Sequence, residues 1–294
     1  MKPRRIKLRQ IVLMMILLLL WAPGFGMDWP SQDAVILNNF GWINGKQPVM
    51  GVSFASRGPI HAAAAGELLF VHSQTNTASR MPSPLGSWAA LDHGDWLIGI
   101  YSRFEDKAET GYPTIVEKDG IIASSGRSGW TKEDGFYFSF FDRKERRWVN
   151  PSMFITPMPD TRAPVIQGVQ LKNGDDRIIN PASTRSLSQG RYVVSVQVND
   201  TRLSPGENPL APHRIACSVN GIEIGGLSFE TFTARDGFLM INRNGLVTVE
   251  QIYAPAPFFE IGEIWFNRGQ ANLEIIAYDI GGNVRNVAYR LQIE

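Results

Sequence analysis

The sequence predicts an all-β protein in two modules, and three observations predict it. Turn formers are abundant, with 28 Gly and 18 Pro among 294 residues, as in strand-and-turn chains and unlike helical bundles. Short strand-like runs alternate with turn signals along most of the length. Pro151, Pro157, Pro159 and Pro164 cluster in one stretch. Proline removes a backbone donor and restricts the residue before it, so this stretch connects modules rather than continuing a strand. The boundary falls near residues 156–163. Apolar residues make up 44% and charged residues 19%, so the chain can bury a core and is not composed like a disordered one.

The amino terminus reads as an address. Lys2, Arg4, Arg5, Lys7 and Arg9 precede an apolar run from Ile11 to Ala22, then Pro23 and Gly24-Phe25-Gly26, the order of a secretory signal peptide. The run is short for a span, which needs about 20 apolar residues. Residues 1–26 are therefore expected to be removed on export to the periplasm or cell envelope, leaving no stable membrane span. Five of the 29 basic residues lie in this segment and none of the 28 acidic ones, so 24 basic residues remain against 28 acidic, a net of −4. Without a basic run, nucleic acid is not an expected partner. Cys217 is the one cysteine, which excludes an internal disulfide and a cysteine-based zinc site.

The first module, 27–157, is expected to carry strands over Met50–Ala55, Gly66–His72, Trp88–Asp92, Trp96–Phe104 and Phe136–Phe141. Gly94-Asp95 between two of these suits a tight hairpin. The Phe136–Phe141 run is too aromatic to leave one face wet. His61–Ala65 is the only helix-like fragment, and it is too short to be a stable helix. In the second module, 163–294, Arg191–Val198 alternates with period two, as a half-buried strand does. Asn220-Gly221 between Ile215–Val219 and Ile222–Ile224 is a strong hairpin signature, because both turn positions need positive φ. A last hairpin joins Leu273–Tyr278 to Val287–Ile293 through Asp279-Ile280-Gly281-Gly282-Asn283. This spacing of short strands predicts an immunoglobulin-like β-sandwich.

An ordered set of segments in the first module resembles a known family. Gly51-Val52-Ser53-Phe54-Ala55 and Gly58-Pro59-Ile60-His61-Ala62-Ala63-Ala64-Ala65-Gly66 come first. Leu91-Asp92-His93-Gly94, Ile100-Tyr101-Ser102-Arg103-Phe104 and Ile121 to Gly129 follow. Phe136-Tyr137-Phe138-Ser139-Phe140 and Val149-Asn150-Pro151 complete the set. In this order, across roughly residues 40–154, they resemble the lysostaphin-type (LytM-like) zinc endopeptidases, which cut peptide crosslinks in peptidoglycan. The resemblance implies an antiparallel β-sheet peptidase domain of the duplicated hybrid motif type.

Enzymes of that family hold zinc with two histidines and an aspartate, and two further histidines orient and deprotonate its water. Carried over by the resemblance, the first ligand position is Val49 and the aspartate position is Ser53. The histidine of the Y-x-H strand becomes Arg103, and the two histidines of H-x-H become Gly135 and Tyr137. Val49 and Gly135 offer no donor, a neutral Ser53 hydroxyl is a poor zinc ligand, and Arg103 repels a cation. No catalytic or metal-binding residue is therefore assigned, and no cofactor is expected, zinc being the cofactor if the carry-over is misplaced. Asp134 restores a ligand only if the register is wrong by one, since neighbouring strand residues face opposite ways.

Tyr101, Arg103, Trp130 and Tyr137 are candidates for lining a binding groove, with core packing as the alternative for the aromatics. His61 reads as a rim residue, the Asp92-His93-Gly94 turn as scaffold, and His72 and His213 as solvated. The run Asp142 to Arg147 reads as a solvated hairpin tip. The function expected is an exported, non-catalytic peptidase-like protein at the cell wall, a peptidoglycan-binding or regulatory module whose partner is peptidoglycan or a wall hydrolase. The alternatives are an active metalloendopeptidase with atypical ligands and a structural or adhesive β-protein.

Overall fold

The computed structural model describes residues 26–45, 47–75, 82–105, 113–200 and 208–294. The expected signal segment, through residue 25, lies outside them. Among the described residues no helix is long and apolar enough to cross a membrane.

The protein is almost entirely β. The first part of the chain forms β1 (Val35–Asn38), β2 (Ile43–Asn44), β3 (Gln47–Pro48), β4 (Val52–Ala55), β5 (Pro59–His61) and β6 (Gly66–His72). It continues through β7 (Trp88–Asp92), β8 (Leu97–Ser102), β9 (Ile115–Val116), β10 (Ile121–Ser124), β11 (Gly135–Asp142) and β12 (Arg147–Val149). After the proline-rich stretch come β13 (Val165–Asn173), β14 (Ile178–Ile179), β15 (Ser186–Leu187), β16 (Gly190–Asn199), β17 (Arg214–Val219) and β18 (Ile222–Ser228). Last come β19 (Thr231–Arg235), β20 (Phe238–Asn242), β21 (Leu246–Thr248), the short helix α1 (Val249–Tyr253), β22 (Phe259–Phe266), β23 (Gly269–Tyr278) and β24 (Val284–Ile293). The His61–Ala65 fragment is the end of β5 and a turn, not a helix.

Strand β11 shows how the sequence builds the first module. Phe136, Phe138 and Phe140 alternate with Tyr137 and Ser139, and all three phenylalanines are completely buried. Phe136 stacks on Phe54 at 4.7 Å between centroids, and Phe138 lies 4.9 Å from Tyr101. Burying a phenylalanine side chain contributes roughly 1.5–3 kcal/mol, so this one strand anchors the core. The opposite face is the one that carries polar residues.

In the second module two sheets enclose one core. One has the order β14-β13-β16-β22 and the other β15-β24-β23-β17-β18. Alternation along β16 buries Tyr192, Val194, Val196 and Val198 against Ile215, Leu273 and Ile275 of the other sheet. Asn220 at φ 51° and Gly221 at φ 81° make the tight turn between β17 and β18, as their sequence requires. Cys217 sits in this core, where burial pushes its thiol pKa up to about 12, so it packs as a small apolar group.

The two modules do not pack as separate bodies. β12 pairs with β19 through Arg147↔Thr233, Trp148↔Phe232 and Val149↔Thr231. The first module's sheet therefore continues into β19, β20 and β21, giving eleven strands. Phe40 belongs to the second module's core and stacks on Phe232 at 4.8 Å. Gly41, at φ 83°, lies so close to Phe229 that an added Cβ would be 2.3 Å from its ring. Tyr253 donates to the Gly41 carbonyl at 2.7 Å, and the Asn39 side chain bonds both N–H and C=O of Ala211. Boundaries at 157 and 163 thus mark a break in sequence composition and not a break in packing.

Candidate functional site

Directly opposed residues in antiparallel strands share one face of a sheet. His72 on β6 opposes Trp88 on β7, Trp88 opposes Ser102 on β8, and Ser102 opposes Tyr137 on β11. Tyr137 in turn opposes Ser53 on β4, and Ser53 opposes Asn38 on β1. A continuous row therefore crosses the sheet on the face away from the phenylalanine core. Ser53 and Tyr137, placed far apart by sequence, are immediate neighbours in it.

Arg103 stands at the middle of this row, just past the end of β8. Its backbone is left-handed at φ 69°, which for a non-glycine residue costs about 1–2 kcal/mol. Two hydrogen bonds hold it there, Arg103 N–H to Leu85 O at 3.0 Å and Gly126 N–H to Arg103 O at 2.9 Å. The turn aims the guanidinium over Tyr137, 5.4 Å from the ring centroid, and Nη1 donates to Ser53 Oγ at 3.4 Å. Burial lowers the Arg103 pKa, with Tyr137 and Glu133 pulling the other way; the group stays charged, since arginine does not lose its proton in proteins. Burial also raises the Tyr137 pKa above the ordinary phenol value, against weaker pulls from Arg103, Ser139 and Met50.

The remaining carried-over positions cannot supply metal ligands. A Cβ on Gly135 would lie 1.9 Å from the Phe54 carbonyl oxygen, so this backbone admits no side chain there. Val49 is half-buried, and its backbone pairs with Trp42 O and Gly41 N–H. The segment it belongs to reaches the row at Gly51, where an added Cβ would meet the Tyr137 ring at 2.8 Å. A serine hydroxyl, a guanidinium, a phenol, a valine and a bare glycine do not fit zinc, which takes thiolate, imidazole and carboxylate donors. Among the described residues, a grouping of ligand-type side chains occurs elsewhere. Asp160, Asp200 and Asp279, in the linker and second module, bring carboxylate oxygens within 4.8 Å of one another.

Comparison with known proteins gives three findings. A family model matches residues 163–294. No curated protein matches the chain. Solved structures do match it, at low identity. One is a mutant catalytic domain of the prophage-encoded M23 protein EnpA from Enterococcus faecalis, 19% identical over 44% of this chain and 97% of that one, TM-score 0.36. Another is lysostaphin from Staphylococcus simulans, 14% identical over 75% and 87%, TM-score 0.36. A zinc containing peptidase from Vibrio cholerae is 18% identical over 46% of this chain and 41% of that one, TM-score 0.36.

The other sequence candidates fall on both sides of the sheet. Tyr101 is completely buried on the core face and does not line the row. Its hydroxyl accepts from Ala63 N–H at 3.0 Å and meets His93 Nε2 at 2.9 Å, while His93 Nδ1 meets Ala65 O at 3.1 Å. With Nδ1 protonated, every polar atom of this relay is satisfied by a neutral imidazole, and burial lowers the His93 pKa accordingly. The Asp92-His93-Gly94 turn is thus scaffold. Trp130 is 81% exposed; its backbone N–H bonds Pro84 O, next to the Leu85 carbonyl that holds Arg103, so its segment is tied to the same loop. Asp134 is bound by Arg57 at 3.0 Å and Arg127 at 3.2 Å and is engaged as an ion pair.

His72 is not solvated, contrary to expectation, and His213 is only partly so. His72 is buried at the far end of the row, its ring 6.4 Å from Trp88. His213 sits in the second module with its side chain 22% exposed. Strict alternation from Leu68 would turn His72 toward the phenylalanine core, but a bulge between Leu68 and Phe70 shifts it to the face opposite Trp88, so the strand pattern carries no signal for its place. His61 does lie at a rim, with Nδ1 at 2.8 Å from Asp119 O. The 142–147 tip is a turn closed by Asp142, which pairs with Arg147 at 3.1 Å.

Proposed function

We propose that this is an exported, non-catalytic peptidase-like protein whose sheet face serves as a binding or regulatory surface at the cell wall, toward peptidoglycan or a wall hydrolase. One observation carries the reading. The positions that the resemblance carries over from zinc and its bases include Ser53, Arg103 and Tyr137, where Arg103 touches both and Ser53 lies directly opposite Tyr137, and Gly135, closed by the Phe54 carbonyl. Hydrolysis of an amide needs an activated nucleophile or an activated water. A protonated arginine, a high-pKa phenol and a serine hydroxyl without an adjacent base provide neither. What they do provide is donors and an aromatic face, the equipment of recognition.

The test combines metal analysis with digestion of purified peptidoglycan. The purified protein is expected to hold less than about a tenth of an equivalent of zinc after dialysis, to release no muropeptides detectable by mass spectrometry, and to cosediment with sacculi. Stoichiometric zinc, or chelator-sensitive release of cleaved crosslinks, overturns the non-catalytic reading. Failure to cosediment with sacculi overturns the peptidoglycan reading unless a wall hydrolase is retained by the same face, read as loss of its retention in a Tyr137→Ala variant.

A further inference from the structure

Arg103 is a partly buried cation without an ion-pair partner among the described residues. Its Nη1 is spent on the neutral Ser53 hydroxyl and its flat face on the Tyr137 ring. The edge formed by Nε and Nη2 makes no hydrogen bond to any described residue. That edge is a two-donor fork whose geometry matches both oxygens of a carboxylate. Desolvating a charge without a counter-charge is unfavourable, and an incoming anion relieves the cost.

We infer that this edge binds the free carboxylate of a peptide, with Tyr137 and Ser53 holding the guanidinium in place. The inference rests on the proposed reading of this face as a binding surface and names its ligand chemistry. The sign of the site decides the class. Where a zinc enzyme presents carboxylate and imidazole donors to a cation, this row presents one cation and two neutral hydroxyls, and so selects an anion. A single guanidinium matches a monoanionic, planar carboxylate better than a phosphate, which in protein sites recruits several cationic or backbone donors. Glu133 is exposed and lies near enough to influence the Arg103 charge. It is therefore the internal anion that a ligand must compete with.

Calorimetric titration with N-acetyl-D-alanyl-D-alanine and with its C-terminal amide tests the inference. The acid is expected to bind at least tenfold more tightly than the amide. Arg103→Gln should bring the two to equal affinity. Arg103→Lys, which keeps the charge but loses the fork and serves if the glutamine variant does not fold, should weaken the acid several-fold. Glu133→Gln should tighten the acid. Equal binding of acid and amide by the unaltered protein overturns the inference, as does an acid preference that survives both Arg103 variants. Inorganic phosphate displacing the acid at equal concentration also overturns it, in favour of a phosphate site. Cosedimentation with sacculi is measured on the same samples. Retention without an acid preference removes the carboxylate assignment alone, whereas loss of retention and of any hydrolase capture removes the wider reading.

Discussion

The guanidinium of Arg103 lies 5.4 Å from the centre of the Tyr137 ring, and it gets there from a left-handed backbone. Strained residues of this kind persist only where the surroundings over-determine them, and they concentrate at functional positions. Substitution at 103 should separate the strain from the contact. Arg103→Gly is expected to be more stable than Arg103→Ala by about 1 kcal/mol, because glycine adopts positive φ without a Cβ penalty. Urea unfolding of the two variants reads the difference, and equal midpoints would refute the strain.

Gly135 gives the opposite case, where no side chain is tolerated. Its missing Cβ would lie 1.9 Å from Phe54 O, so any replacement must separate β4 from β11. Gly135→Ala is expected to lower stability by roughly 3 kcal/mol or more, above the usual range for overpacking. Gly135→His should likewise fail to gain zinc. A stable Gly135→His variant binding one equivalent of the metal would contradict both statements.

Acidification should weaken the fold through two histidines. Burial lowers the pKa of His93 and of His213 below the unfolded value of 6.5. Their contribution is therefore fully present above about pH 6.5 and is lost as the pH falls through the lowered folded values. Midpoints of chemical unfolding at about pH 7.5 and about pH 5.5, on either side of the unfolded pKa, measure this. They should drop on acidification, and the drop should shrink in a His213→Asn variant. A midpoint constant across that interval would show that neither imidazole is held neutral.

The joint between modules predicts one cooperative unit. Val149 and Trp148 pair with β19, and the Asn150 side chain donates to Phe229 O at 2.9 Å while its Oδ1 accepts from Ser152 N–H at 3.0 Å. Asn150→Ala should cost about 2–3 kcal/mol, since a buried carbonyl and an amide lose their partners together. Calorimetry of the unaltered protein should show a single transition. Two resolved transitions would mean that the shared sheet does not couple the halves.

Tyr253→Phe isolates the longest link across the joint. Removing the hydroxyl leaves Gly41 O without its 2.7 Å donor, at an expected cost of about 1–3 kcal/mol. Proteolysis at residues 39–50 should accelerate in this variant if the bond restrains that segment, and an unchanged cleavage rate would show that Phe40 packing suffices.

Local pattern made much of this legible beforehand. Strands β6 and β7 run over the residues that alternation and turn signals mark, and Asn220-Gly221 turns where positive φ is required. The Ser53–Tyr137–Arg103 convergence is implied by the family resemblance and not by local pattern, and the pairing of β4 with β11 supplies it. What the sequence hides is pairing at a distance. Nothing in Thr231–Thr248 distinguishes strands that extend a remote sheet from strands of their own module, since both alternate alike. Tyr101 reads as groove or core depending on a single step of register, and the Ala63 and His93 bonds that seat it inside come from segments 38 and 8 residues away. His72 is hidden for a similar reason, its burial being supplied by the strands across from it.

The pairing of β12 with β19 also governs direction. Rotation about residues 158–162 would tear three residue pairs from the sheet, so the chain is a bracket and not a hinge. Whatever docks beside Arg103 is presented at one fixed angle to the carboxyl-terminal sandwich, and a third component touching both would meet them in a geometry set at folding.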